Sequence, residues 1–165
     1  LVIIGGTGDL ARRKLLPALF HRFQDGGLPA RARVIACARD DLSSDDYRAR
    51  VAPAMDGNDE AARDRFLGLV EYQRLDVQDA AGWQRLRARL EERGQSIRVF
   101  YLAIHPSLFA PACEQLRAAG LNGERCRVVV EKPLGHDLAS AKDLNRLLAA
   151  TFAEHQTFRI DHYLG

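Results

Sequence analysis

The sequence predicts an α/β fold, a doubly wound and mainly parallel sheet with helices on both faces. Three observations carry that prediction. Apolar, β-branched runs alternate with amphipathic segments from end to end, and repeated strand–helix–strand order implies parallel strands joined by right-handed crossovers. Several runs, RVIACA (33–38) and RVVVE (127–131) among them, are apolar almost without interruption, as strands covered on both faces are. The first run leads straight into a glycine-rich turn that opens a helical segment.

The elements follow in order. LVII (1–4) is the first strand, and GGTGDLARRK (5–14) is the turn and helix entry. Leu16, Leu19, Phe20 and Phe23 then recur at helical spacing until Gly26-Gly27 stops the helix. RVIACA is the second strand. The stretch 41–66, DLSSDDYRARVAPAMDGNDEAARDRF, is the loosest section. It reads as a capped helix, a Pro/Gly break and a second short helix, a peripheral excursion. VEYQRL (70–75) is the third strand, followed by Trp83, Leu86 and Leu90 on one helical face before Gly94. IRVFYLA (97–103) is the fourth strand, and a helix from Pro106 to Ala119 closes at Gly120. RVVVE is the fifth. Residues 137–152 are helical, with leucines at 138, 144, 147 and 148, and TFRI (157–160) is the last strand.

Composition narrows the class. A chain of 165 residues fits one domain with a sizeable core, and 47% hydrophobic with 28% charged residues is ordinary for a soluble globular protein. A net charge of +2, with no basic block longer than Arg12-Arg13-Lys14, argues against nucleic acid as a partner. Cys37, Cys113 and Cys126 are odd in number, widely spaced and set in apolar patterns, so they read as core residues of a reducing compartment with no metal spacing. No apolar stretch approaches the roughly 20 residues that a membrane span requires, and the expected location is the cytoplasm. Both ends look cut: LVII begins inside a strand, and FRIDHYLG stops without a polar tail.

Two strand ends carry the first chemistry. Gly6-Thr7-Gly8-Asp9-Leu10-Ala11 matches G-x-G-x-x-A after a strand and at a helix start, the context of a Rossmann-type dinucleotide fingerprint. Missing side chains let backbone amides approach a pyrophosphate, and the positive end of the helix faces the anion. Ala11 permits close helix–strand packing, and Thr7 has a hydroxyl to give a phosphate oxygen. Asp9 sets a carboxylate in the same turn, where it also suits the role of helix cap. At the second strand's end stands Arg39, whose forked guanidinium suits the 2′-phosphate of NADP, whereas an acid there suits NAD. Asp40 and Asp41 follow it directly.

Later strand ends are equally charged. VVVEKPLGHDLASA (128–141) places Glu131-Lys132 at the end of a buried strand, and FRIDHYLG (158–165) places Asp161, His162 and Tyr163 at the end of the last. Together with GGTGDLARRKLLPALF, ACAR and VFYLAIHPSLFAPAC, these segments closely resemble the glucose-6-phosphate dehydrogenase family, in the correct order and over essentially the whole chain. The resemblance implies the amino-terminal NADP-binding domain of an enzyme that oxidises D-glucose 6-phosphate to its 1,5-lactone and forms NADPH, in the pentose phosphate pathway. It implies that Gly5, Gly6, Thr7, Gly8, Asp9 and Leu10 form the pyrophosphate turn. Arg39 would hold the 2′-phosphate, and Asp76 and Val77 would lie on the adenine side. Lys132 would touch both substrate and cofactor, and Pro133 matches a proline that is frequently cis. His162 and Tyr163 match residues that bind the sugar's 6-phosphate. Asp161 matches the carboxylate that orients a catalytic histidine.

That histidine belongs to the family's second domain, and none of His21, His105, His136, His155 or His162 matches it. His21 and His155 read as solvated. His105 and His136 replace a common proline and a common arginine. The expectation is therefore a domain that binds NADP without turnover on its own, and a homo-oligomer for the whole protein. Two alternatives stay open: an NAD-preferring or dual-cofactor sugar-phosphate dehydrogenase, suggested by Asp40 and Asp41, and a non-catalytic nucleotide-sensing domain.

Overall fold

The computed structural model describes residues 1–56, 59–92, 94, 96–131 and 138–160, with 138–140 by backbone alone. The α/β Rossmann-type class predicted from the sequence is the one observed, with six strands among the described residues and every described pairing parallel. The chain forms two compact units, Leu1–Arg74 and Leu75–Gly165.

In the first unit, β1 (Val2–Ile4), β2 (Val34–Ala38) and β3 (Val70–Arg74) lie in the order β3-β2-β1. Ile3 pairs with Ala36, and Ala36 in turn with Tyr72. All residues of β1 and β2 are buried, which explains their unbroken apolar character. Helix α1 (Leu16–Gln24) turns Leu16 and Phe20 inward. The ring of Phe20 meets Phe66 of α3 (Glu60–Leu67) at 5.6 Å between centroids, and Phe23 meets it at 5.7 Å. Phe20 and Phe66, both buried, contribute roughly 1.5–3 kcal/mol each by leaving water. Gly26, at φ +69°, ends α1 as expected from the glycine pair. Its amide bonds to Phe23 and that of Gly27 to Arg22, the double closure of a Schellman turn.

Helix α2 (Ser44–Val51) starts at a capping box. The Asp46 amide donates to Ser43 Oγ at 3.0 Å, and the Asp46 carboxylate accepts from the Ser43 hydroxyl at 2.6 Å. That part of the 41–66 reading holds; its description as peripheral does not. Tyr47, Val51 and Met55 are fully or almost fully buried, and the Tyr47 hydroxyl reaches the glycine turn. Buried positions are sparse here, so a strongly polar helix conceals how much it anchors.

In the second unit, β4 (Arg98–Leu102), β5 (Cys126–Glu131) and β6 (Thr157–Ile160) lie in that order. Helix α4 (Ala80–Glu91) is capped by Asp79, which accepts from the amides of Ala81 and Gly82, and it buries Trp83, Leu86 and Leu90 as its spacing predicts. Helix α5 is shorter than expected, Phe109–Ala118, because Pro106–Leu108 forms a 3-10 turn. Helix α6 spans Leu138–Thr151. All three cysteines are buried thiols outside any disulfide. Among the described residues no helix is long and apolar enough to cross a membrane, and no cluster of His, Cys, Asp or Glu is arranged to hold a metal ion.

Candidate functional site

β1 delivers the chain into the turn Gly5–Leu10, and β2 fixes its shape. The amides of Gly5 and Gly6 both donate to the carbonyl of Cys37, at 2.8 and 2.9 Å, and Gly8 donates to Gly5 at 3.0 Å. Gly5 takes φ +93°, where only glycine is unstrained. Gly6 is required for space instead: a Cβ there would stand 2.7 Å from Ala36 Cβ. Ala11 is fully buried, in keeping with close packing against the sheet.

The glycines therefore give clearance more than donors, since their own amides are committed within the protein. No bond to a carbonyl is described for the amides of Thr7, in the turn, or of Asp9, Leu10 and Ala11, at the start of the helix. Such first-turn donors, with the helix dipole behind them, make an anion site. A diphosphate fits this set. The helix enters through a π-turn, Ala11–Leu15, a form that concentrates at functional sites. Within it, Arg12 Nε is buried without a hydrogen-bond partner among the described residues. The Arg12 charge reaches the Tyr47 phenol, whose hydroxyl donates to the Gly6 carbonyl at 2.6 Å. The Asp9 carboxylate lies 3.4 Å from Arg13, an exposed pair worth little to stability.

The end of β2 stands beside this turn. Thr7 Oγ1 donates to Asp40 Oδ2 at 2.7 Å, so its single proton is engaged by a carboxylate rather than left for a phosphate as the sequence suggested. This bond holds the Asp40 carboxyl below its usual range, and Arg50 acts in the same direction. Arg39, one residue earlier, is exposed. Its backbone is bracketed by Tyr72, whose hydroxyl shares its proton between the carbonyls of Ala38 at 2.9 Å and Asp40 at 2.8 Å. Tyr72 stacks on Tyr47 with centroids 5.0 Å apart. Burial pushes both phenols up, Tyr72 to about 12. Two further guanidiniums meet the acids here: Arg50 lies 3.6 Å from Asp40 and Arg74 3.7 Å from Asp41.

The geometry thus brings Gly5, Gly6, Thr7, Gly8, Asp9, Leu10 and Arg39 into one neighbourhood. Sequence reasoning missed Tyr47, Tyr72 and Arg50. The spacing of Tyr47, Val51 and Met55, four apart, is the one signal that α2 has a buried face.

In the second unit, Asp76 is exposed and its carboxylate accepts from the Gln78 amide at 2.9 Å. Val77 is buried, and its carbonyl accepts from the Trp83 indole at 2.9 Å. At the ends of β4 and β5 the Tyr101 hydroxyl donates to Glu131 Oε1, and burial, then this bond, raises the Tyr101 phenol. His105 caps the 3-10 turn: its Nδ1 accepts from the Ser107 amide at 3.3 Å, which is how a histidine serves where a proline was expected. His21 and His155 are exposed. Lys132, Pro133, His136, Asp161, His162 and Tyr163 lie outside the described residues.

Known proteins resemble this chain in sequence and fold. Residues 2–165 match the family described as "Glucose-6-phosphate dehydrogenase, NAD binding domain". Glucose-6-phosphate 1-dehydrogenase of Rhizobium meliloti (strain 1021) is 43% identical over 170 residues, which cover 99% of this chain and 35% of that protein. The same-named protein of Mycolicibacterium smegmatis is 46% identical over 174 residues, with 99% and 35% covered. A solved glucose-6-phosphate dehydrogenase in complex with its substrate glucose-6-phosphate superposes with a TM-score of 0.90 at 37% identity, over 98% of this chain and 36% of that one. The crystal structure of the Mycobacterium avium enzyme gives 0.86 at 41% identity, with 98% and 36% covered. The chain thus spans about a third of the length of these relatives.

Proposed function

This chain belongs to the glucose-6-phosphate dehydrogenase family, and from that premise we propose that it is the part of such an enzyme that binds NADP while D-glucose 6-phosphate is oxidised to 6-phosphoglucono-1,5-lactone. The carrying observation is the 2.7 Å bond from Thr7 to Asp40, which ties the anion-binding turn to the strand end that bears Arg39. The amides of Thr7, Asp9 and Leu10 would hold the pyrophosphate, and Arg39 the 2′-phosphate, bidentately. Asp76 and Val77 would lie toward the adenine. When bound, the nicotinamide supplies a hydride acceptor.

The remaining roles fall on residues that follow β5 and β6 in the sequence. Lys132 would steady the sugar's oxygens by charge. His162 and Tyr163 would hold the 6-phosphate, and Asp161 would fix the tautomer of a histidine outside these 165 residues and stabilise its charged form. The whole enzyme is proposed as a homo-oligomer of the cytoplasm; the three buried thiols, none in a disulfide, suit a reducing compartment. A second reading, preference for NAD or use of both cofactors, is favoured by the Asp40 carboxylate at the end of β2.

Calorimetric titration of the full-length polypeptide with NADP and NAD tests the proposal. Arg39→Ala is expected to weaken NADP roughly 10- to 100-fold, the range of a lost charge-assisted pair, and NAD little. Absence of NADP uptake by folded protein, or equal losses for both cofactors, would overturn it.

A further inference from the structure

Asp40 sits where a carboxylate favours ribose hydroxyls and repels a ribose phosphate, yet it adjoins the arginine that suits the phosphate. Its two oxygens have different partners. Oδ2 accepts from Thr7 at 2.7 Å, and Oδ1 lies 3.6 Å from Arg50 Nη1, contributed by α2. The neighbouring Asp41 is met by Arg74 of β3. Arg50 and Asp40 keep 41% and 42% of their side-chain surface exposed, so the pair adds little to folding stability. Its charge balance, however, falls on whatever approaches Arg39. Sequence spacing did not mark Arg50, and the G-x-G-x-x-A fingerprint does not contain it.

We propose that Arg50 determines cofactor specificity: by pairing with Asp40 it offsets the carboxylate beside Arg39, and so keeps the end of β2 receptive to a phosphate monoester on the ribose. Without Arg50 the same carboxylate opposes NADP and leaves NAD unaffected. The inference rests on the NADP reading above. Arg50 is a positioning and compensating residue, acting through Asp40. A single charge acting on a phosphate dianion through solvent over several ångströms alters affinity by about three- to tenfold, and salt screens the effect.

The test measures dissociation constants for NADP and NAD by calorimetry on the full-length polypeptide, at low and high ionic strength. Arg50→Ala is expected to raise the NADP constant roughly three- to tenfold and the NAD constant less than about twofold, the difference shrinking with salt. Arg50→Lys should retain NADP binding. Asp40→Asn, which keeps an acceptor for Thr7, should cancel the loss when combined with Arg50→Ala. Equal weakening of both cofactors, or a double variant as impaired as Arg50→Ala alone, would overturn the proposal. Arg50→Gln replaces Arg50→Ala if the melting temperature shows that the alanine variant is unfolded. Arg39→Ala separates the two ideas. If it leaves the NADP-to-NAD ratio unchanged, the underlying reading fails; if it shifts the ratio and the Arg50 variants do not, only this inference fails.

Discussion

Gly6 shows at the residue scale how one absent methyl group shapes the turn. Its φ is unremarkable, yet a Cβ would lie 2.7 Å from Ala36 Cβ, closer than real Cβ atoms come, and a tight 3.1 Å from Ala36 Cα. Gly6→Ala must push β1's exit away from β2, breaking the bonds to the Cys37 carbonyl. The expected cost is about 1–3 kcal/mol in denaturant unfolding and, on the proposed function, loss of NADP binding as well. Unchanged stability in that variant would contradict the close approach. The features that sequence reading located here are local ones: glycines needed for space or for φ, and an exposed guanidinium one residue past β2. Tyr47 and Tyr72 escaped because their roles are not local. The Tyr47 hydroxyl reaches the Gly6 carbonyl across 41 residues of chain, and no periodicity encodes that distance.

At the scale of the element, α2 is the part that sequence patterning undervalued. Its exposed face carries Asp45, Asp46 and Arg50, while Tyr47 and Val51 are buried. Two buried positions in eight are too few for an amphipathic signal, although the capping box was plain in the residues. Strands fared better, because β1 and β2 are buried throughout, and a continuous apolar run is an unambiguous mark of that state. The 3-10 turn at Pro106–Leu108 escaped notice because Pro106 and the Nδ1 cap from His105 look from sequence like the first turn of an α-helix. Since α2 holds the glycine turn through Tyr47, its cap matters for more than its own ends. Ser43→Ala is expected to cost about 1 kcal/mol, read as a lower urea midpoint at unchanged m-value. A midpoint equal to that of the parent protein would show the box to be dispensable.

For the molecule as a whole, buried acids of high pKa set the behaviour in alkali. Burial raises Tyr72 and Cys113 to about 12, and it raises Tyr47 and Tyr101 as well. Unfolded, tyrosine and cysteine titrate near roughly 10 and 8.5. The folded chain thus keeps protons that the unfolded chain releases, so stability falls as pH rises. That contribution is complete below about pH 8 and is progressively lost as pH climbs toward the folded values. Denaturant midpoints at pH 7.5 and 10.5 should therefore differ, the alkaline one being lower; equal midpoints would count against these burials. Another consequence follows from the Cys37 carbonyl, which accepts two successive amides from the opposite strand's exit. Together with the Tyr47 bond from α2, these bonds fix the shape of the turn within the folded chain itself. On the proposed function, a dinucleotide would meet a preorganised loop whose ordering costs little conformational entropy, so affinity could rest on a handful of well-aimed donors.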